Sequence, residues 1–484
     1  MLDRAGDPSA RDRTQACCDR APTRTDEGLG DPSPLRPHLS CRAMIDRFTA
    51  RLSKADRFIL AVLAPVTLVL TLAPVANALQ GDCRYDYNLW YVTGQNYLNQ
   101  RPLYPHNVEF PFIYPPSAAA MFALPTLLGK ALFVLVLTIF NSVAWLVSAG
   151  LTVWLVTGHF VRQRPALALL PTLTMAYWIR DTYKFGQPAL VLLALMLGAA
   201  ACLRRNMPVR AGILVGTAAA IKAYPVLAIA YLVYRRRWKA TAVTLATLAI
   251  WLLLVPLAFR TPKIVVSDLV TWTRGVVLTY DTRRISQRGM HGYDYSNQSI
   301  VAVANRLLRS VPADAKADPC WTVNLANLDF GTVNAVILAS LLALCLFYLW
   351  CMPPANCRTS RSDTVEWALL LLLIVMVAPL SFDYSYVWML YPLGVTTGLI
   401  LQVESGFRPP QGLFWWFSAS LLVLALALPM HHRAEAGGNV FFSALILFIG
   451  LGFALRQRTS DRQSSPASAL GSSSLASAGP ASRV

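Results

Sequence analysis

The chain has 484 residues, 55% of them hydrophobic and 14% charged, where a soluble domain carries about 25% charged residues. That excludes a soluble globular protein and reads as an all-α polytopic membrane protein. The formal net charge of +18 comes from 43 Lys and Arg against 25 Asp and Glu. The basic residues stand in short clusters between apolar blocks, which excludes nucleic-acid binding and marks them as orientation signals facing the cytoplasm.

Residues 1–55 are rich in Arg, Asp, Pro, Ser and Gly and are expected to be a disordered tail. No short signal-peptide arrangement opens the chain, and Met44, beginning MIDRFTARLSKADRF, reads as an alternative start. A transmembrane domain is expected over 56–457, and a Ser/Ala/Gly-rich disordered tail over 458–484. The first apolar span covers 58–79. Arg47, Arg51, Lys54 and Arg57 precede or open it and hold the N-terminus in the cytoplasm. The hydrophilic stretch 80–116 is then extracytoplasmic. Apolar segments follow at 117–128 (short, half-inserted or tilted), 131–156, 166–178, 188–203, 211–234 and 240–259. The rest are 331–350, 365–380, 387–401, 413–428 and 441–455. Together they predict about 10 to 12 crossings, since short blocks can re-enter.

The clusters Arg204-Arg205, Arg235-Arg236-Arg237 and Arg456-Gln457-Arg458 should all face the cytoplasm. For the first two to share a side, 211–234 must enter and leave by one face. It can do so as two half-helices broken near Lys222-Ala223-Tyr224-Pro225, where Pro removes a backbone donor. The plainer reading is one helix with a snorkelling lysine. The second hydrophilic stretch, 260–330, follows a span leaving the cytoplasm and so shares a side with 80–116. No internal repeat is evident.

Residues 80–116 read QGDCRYDYNLWYVTGQNYLNQRPLYPHNVEFPFIYPP. Asp82 and Asp86 are four apart and would share a face of a helical turn. Tyr85, Tyr87, Trp90, Tyr91 and Tyr97 interleave with them. Such aromatics have a bland explanation, since Trp and Tyr gather at membrane interfaces. Sugars also stack on aromatic rings, however, and a carboxylate amid rings beside a bilayer suits a hydroxyl-bearing substrate. Asp86 is the acid expected to carry chemistry, with Asp82 as fallback.

These residues resemble the first external loop of glycosyltransferase family 87, a branch of the integral-membrane transferases with the GT-C fold. Asp86-Tyr87, Tyr91, Leu103-Tyr104 and Tyr114-Pro115-Pro116 fill the places of that family's pattern. Gly186-Gln187, Lys222-Ala223-Tyr224-Pro225, Asn297-Gln298-Ser299 and Arg306 follow in order. The resemblance runs from about Phe58 to Leu401. One place departs: members often carry Trp and His after Pro-Leu-Ser, where this chain has Pro379-Leu380-Ser381-Phe382-Asp383-Tyr384-Ser385-Tyr386. If those histidines contact donor or acceptor, their role here passes to Asp383, Tyr384 or Tyr386, or is absent.

The resemblance implies transfer of a sugar, mannose or arabinofuranose, from a polyprenyl-phosphate donor with inversion. The acceptor would be a lipid-linked or cell-envelope glycan at the outer face of a bacterial plasma membrane. The acceptor hydroxyl needs a base, and Asp86 could serve. The leaving phosphate needs positive charge, for which Lys222, Arg283, Arg284 and Arg288 are candidates. The arginines could equally be a solvated loop face or meet anionic headgroups. Tyr87, Tyr91, Tyr114, Gln187, Asn297, Gln298, Asp383 and Tyr384 are candidates for binding sugar or acceptor. Asn297 and Gln298 could instead cap the next helix.

No cofactor is expected, and no divalent metal. A monophosphate donor lacks the diphosphate that recruits one, and the adjacent His431 and His432 point apart. Cys83 and Cys320 both fall in extracytoplasmic stretches, where an oxidising compartment could join them. The rival reading from another class is a secondary transporter or a flippase for a lipid-linked sugar, which a broken helix and a midmembrane Lys222 would suit. Against it, the polar residues concentrate in the two external stretches rather than within the spans.

Overall fold

Lipid offers no partner to backbone N–H and C=O groups, so apolar runs close their hydrogen bonds within helices. A computed structural model of the chain describes residues 54–83, 85–105, 111–158, 166–286, 292–314, 317–401 and 412–463. Among them the regular structure is helical, with isolated bridges in place of strands. The first helices are α1 (Lys54–Leu79), α2 (Tyr85–Leu98), α3 (Pro116–Ala123, continued by a 3-10 turn to Leu128) and α4 (Lys130–Thr157). Next come α5 (Ala166–Thr174), α6 (Ala176–Phe185), α7 (Ala189–Arg204), α8 (Pro208–Ile221) and α9 (Ala228–Tyr234). Helix α10 (Trp238–Ala249) is carried to Leu257 through a π turn, Ile250–Leu254. The outer segment holds α11 (Pro262–Trp272) and α12 (Ile300–Leu308). Then follow α13 (Phe330–Cys351), α14 (Ser360–Val377), a 3-10 segment (Asp383–Met389) and α15 (Leu390–Ile400). The last are α16 (Leu413–Ala425), α17 (Ala427–Ala436) and α18 (Asn439–Gln463).

Among the described residues, 5 helices are long and apolar enough to cross a bilayer, or 7 if two bent pairs each count as one span. That is fewer than the 10 to 12 crossings expected, and the reason is local. Gly186 takes a left-handed φ of 70° and Pro188 follows it. There α6 and α7 meet at 116°, and α16 turns by 120° into the second half of α17. Two further differences concern the tails and loops. Residues 80–116, read as a loop, hold the 14-residue helix α2. Residues 458–463, assigned to the disordered tail, are helical as the end of α18. Cys83 is a free thiol, so it is not joined to Cys320.

The break at Lys222 forms. Helix α8 ends there with Lys222 extended (φ −146°, ψ 130°), a 3-10 turn (Tyr224–Leu227) follows, and α9 resumes at Ala228. Ser117 Oγ donates to the Ala220 carbonyl at 2.6 Å, satisfying one acceptor left open by the helix end. The register of α8 against α10 gives the direction of return. Gly212 faces Ala240 and Thr244, Gly216 faces Thr244 and Thr247, and Trp251 Nε1 donates to Thr217 Oγ1 at 3.3 Å. The two helices are therefore parallel and start at one end of the bundle, so α8 and α9 form a hairpin that leaves by the face it entered.

That end is basic. Arg204 donates to the Leu155 carbonyl at 2.6 Å, Arg235 pairs with Glu366 at 2.7 Å, and Arg204, Arg237 and Arg358 line one cavity. The hairpin fixes depth as well. Helix α8 is 14 residues long, about 21 Å, and Asn141 lies about 24 Å from the end of α4 at Thr157. Lys222 thus reaches the level of Asn141.

Close approach of α8 to α10 depends on the small residues of a G-x-x-x-G pattern. A Cβ at Gly216 would lie 2.7 Å from Thr247 Cβ and 2.8 Å from the Thr244 carbonyl. Gly216→Leu is expected to destabilise the protein by about 1–3 kcal/mol through overpacking. A thermal melt in detergent reads this as a lower unfolding temperature.

Helices α14 and α15 are buried along most of their length and form the centre of the bundle. The spanning windows of α1 and α13 are only 17% buried and face lipid. A second cluster, built from Tyr87, Trp90, Tyr97, Tyr104, Phe112 and Tyr114 with Ala78 and Phe133, caps the end opposite the arginines.

Candidate active site

Asp86 occupies the first turn of α2 and is 8% exposed. A helix N-terminus favours a carboxylate there. Its Oδ2 accepts a hydrogen bond from the Tyr114 hydroxyl at 2.8 Å and another from Gln187 Nε2. The Tyr114 hydroxyl also lies 3.0 Å from Gln187 Oε1. The described residues make no hydrogen bond to Oδ1, so one carboxylate oxygen is held by two donors and the other by none of them.

Each partner is itself held. Asn141 Nδ2 donates to the Gln187 carbonyl at 3.0 Å, and Trp90 Nε1 donates to the Gly186 carbonyl at 3.2 Å. Tyr104 donates to the Tyr114 carbonyl at 2.8 Å, and the Trp90 and Tyr114 rings stand 4.2 Å apart. Proline explains the approach of α3: Pro115 is the residue before the helix and Pro116 opens it, where the missing N–H has no intrahelical acceptor to lose.

Lys222, at the tip of the α8–α9 hairpin, is 7% exposed. Its Nζ lies 5.6 Å from the Tyr114 ring centre, 5.5 Å from that of Tyr224 and 5.1 Å from that of Tyr384. Three aromatic faces hold the ammonium by cation–π attraction. Asp86 and Lys222 thus meet on the same tyrosine, one at its hydroxyl and one at its ring.

Of the predicted residues, the structure gathers Asp86, Tyr114, Gln187, Lys222 and Tyr384. Asp82 lies in the turn closing α1, where its N–H donates to the Asn77 carbonyl at 2.9 Å. It precedes α2, so the two acids do not share a helical face. Tyr87 is a strut: its hydroxyl donates to the Tyr183 carbonyl at 2.7 Å, and a Cβ at Gly186 would lie 2.9 Å from its ring. Tyr91 packs on Phe133 with its hydroxyl accepting from Gln95.

Asn297 and Gln298 are fully buried. Their amides donate to the carbonyls of Gly292 and Pro379, and of Tyr295 and Glu435. The cap of α12 is Ser299, which accepts from Ala302 N. Both amides are clamps, and the expectation that they hold sugar or cap the helix gives way to that role. Arg283 and Arg284 are exposed, and Asp281 accepts the backbone N–H of both and the Arg284 side chain. Among the described contacts none joins them to Asp86. Arg288 lies outside the described residues.

Asp383 is buried, and its N–H donates to the Ser296 carbonyl at 2.8 Å. Burial, with Glu435 and Asp181 nearby, holds its carboxyl well above the usual carboxylate range. Among the described contacts none joins it to Asp86.

Arg306 is fully buried and its guanidinium meets five backbone carbonyls, those of Tyr293, Asp294, Asn297, Glu435 and Ala436. Lysine has three donors and no planar fork. Arg306→Lys is expected to cost several kcal/mol and to remove most folded protein from a detergent extract, read by size exclusion.

Sequence reasoning passed over one cluster: Tyr177 and Asp181 on α6, His431 and Glu435 on α17. Each pair is spaced i, i+4, so each was legible as a shared helix face. Nothing in the sequence brings the two helices together.

An acid held through one oxygen, a caged cation beside it and a polytopic bundle around both define an integral-membrane group-transfer enzyme. The profile of glycosyltransferase family 87 matches residues 112–381, more than half of the chain, and the chain belongs to that family. It is 26% identical over 424 residues, 78% of this chain and 85% of the relative, to a protein of Mycolicibacterium smegmatis. That relative is described as a polyprenol-phosphate-mannose-dependent alpha-(1-2)-phosphatidylinositol mannoside mannosyltransferase. The protein of the same description from Mycobacterium tuberculosis is 25% identical over 450 residues, 85% of this chain and 95% of the relative. No solved structure matches. Membership makes the protein a membrane glycosyltransferase and does not favour the transporter or flippase reading.

Proposed function

We propose that this glycosyltransferase moves a mannosyl unit from polyprenyl-phosphate mannose to a hydroxyl of a lipid-linked mannoside or related cell-envelope glycan, with inversion. The names of both relatives support mannose over arabinofuranose and a glycolipid acceptor. The gathering of arginines at the opposite end of the bundle supports an extracytoplasmic site in a bacterial plasma membrane.

The observation that carries the reading is the pairing of Asp86 and Lys222 across Tyr114. The acceptor oxygen forms a bond to the anomeric carbon and its proton passes to Asp86 Oδ1. The bond from that carbon to the phosphate oxygen breaks, and its electron pair leaves on the polyprenyl phosphate beside Lys222. The leaving group is a weak base, so no second carboxylate is required as acid. Lys222 meets the growing phosphate charge without a divalent ion.

The experiment is incubation of purified full-length protein in nanodiscs with labelled polyprenyl-phosphate mannose and mycobacterial glycolipids, with and without EDTA. Free polyprenyl phosphate together with a new labelled glycolipid, in both conditions, is the expected result. Labelled donor returned intact would overturn the reading.

A further inference from the structure

The basic end of the bundle holds a cavity that orientation in the membrane does not require. Arg204 at the end of α7, Arg237 before α10, and Arg358 with Ser360 where α14 begins all line it. Tyr231 and Trp367, whose rings meet at 5.3 Å, line it too. Positive charge that orients a membrane protein needs only the right side of the bilayer. Here guanidiniums from three separate segments converge on one space.

Their counter-charges are unevenly supplied. Arg358 donates to Asp363 Oδ1 through Nε at 3.0 Å and Nη2 at 2.7 Å. Arg235 pairs with Glu366 at 2.7 Å. Arg204 donates to the neutral Leu155 carbonyl at 2.6 Å. Arg237 is half-buried, and its guanidinium has no hydrogen bond or ion pair among the described residues; nor has the Ser360 hydroxyl. Four arginines thus stand against two carboxylates, Asp363 and Glu366, which leaves an excess of positive charge at the cavity. The first turn of the 18-residue helix α14 adds its own partial positive charge at the rim. Such an excess calls for an anion.

The surroundings say which kind. Tyr234 and Trp238 flank the arginine run 235–237 and are 49% and 60% exposed; such rings gather at the level of lipid headgroups. The space within is about 30 Å³, room for about two water-sized groups, such as the two unesterified oxygens of a phosphodiester. Tyr231 also lines an apolar groove of about 210 Å³ between α9, α13 and α14, a dry surface for a fatty chain.

We infer that this cavity binds the phosphate of an anionic phospholipid from the leaflet at this end of the bundle, with Arg237 as its ion pair. The lipid is neither donor nor acceptor of the transfer reaction. Arg204 and Arg237 stand at the two turns that bound the α8–α9 hairpin, and Arg358 stands beside α14. A phosphate shared among them ties the base of the hairpin that carries Lys222 to the centre of the bundle.

The test is a thermal melt of purified full-length protein in dodecyl maltoside, titrated with dioleoylphosphatidylglycerol, dioleoylphosphatidylcholine or inorganic phosphate. Phosphatidylglycerol is expected to raise the unfolding temperature, and the other two to leave it unchanged. Arg237→Gln is expected to raise the half-saturating concentration by about tenfold or more, the loss of a charge-assisted hydrogen bond. Ser360→Glu is expected to abolish the effect by placing a like charge at the rim, while a first-turn glutamate suits the helix and keeps the fold. Arg236→Gln, next in the chain but outside the lining, stays within about twofold. No rise in the wild-type protein, or an equal rise with phosphatidylcholine, would overturn the inference. So would an equal rise with inorganic phosphate, the mark of a soluble anion, or an equal weakening by Arg236→Gln, the mark of diffuse surface charge.

Discussion

Asp86→Asn is expected to lower sugar transfer by about 10²- to 10⁴-fold, the range general base catalysis contributes, while leaving the amount of folded protein unchanged. Asparagine has the same shape and keeps an acceptor for the Tyr114 hydroxyl, whose bond to Asp86 Oδ2 is 2.8 Å long. The amide cannot take up a proton, so the acceptor oxygen would have to attack still protonated. The measurement is the initial rate with labelled donor in nanodiscs, beside a thermal melt. Asp82→Asn in the same assay stays near wild type, because Asp82 lies in the turn before α2. A fall of only a few-fold in Asp86→Asn with an unaltered melt would assign the base to another group.

Lys222→Met is expected to reduce kcat/KM for the donor by about 10²- to 10³-fold, as when a positioned group that stabilises developing charge is removed. Methionine keeps an unbranched stem among the rings of Tyr114, Tyr224 and Tyr384, so packing changes little. What disappears is the charge. Negative charge grows on the phosphate as its bond to the sugar breaks, so the ammonium interacts more strongly with the transition state than with bound donor. The loss therefore falls on kcat as well as on KM. Lys222→Arg is expected to be intermediate, since a planar guanidinium keeps the charge but fits the three-ring cage poorly. A variant that changes KM alone would make Lys222 a donor anchor rather than a participant in the step.

Both residues are legible in the sequence because their signals are local. Asp86 sits in a short run of aromatics between apolar blocks, and Lys222 stands three residues before a proline in a segment whose flanking arginines demand a return. Gln187 is legible because Gly186 and Pro188 bracket it at a span entrance. Asn297 and Gln298 mislead for a physical reason. An amide in a greasy chain suggests a ligand, yet these amides serve the carbonyls of Gly292, Pro379 and Glu435, partners that only the folded chain brings within reach. Arg283 and Arg284 are served locally, since Asp281 accepts both backbone N–H groups and the Arg284 side chain.

Composition and the spacing of apolar and basic blocks by themselves determined a helical membrane bundle and the gathering of basic clusters at one end, and left a break at Lys222 open beside a single helix; the family came from a resemblance in ordered motifs. The bundle and its basic end follow from hydrocarbon being a solvent that tolerates neither open backbone groups nor stray charge, a constraint each segment obeys independently of its neighbours. The tertiary structure alone decided which helices are short of a full crossing, which polar residues are clamps, and that Tyr177 meets His431 from 254 positions away. Those outcomes depend on side chains from distant segments competing for the same few partners, and such competition has no imprint in the order of residues along the chain.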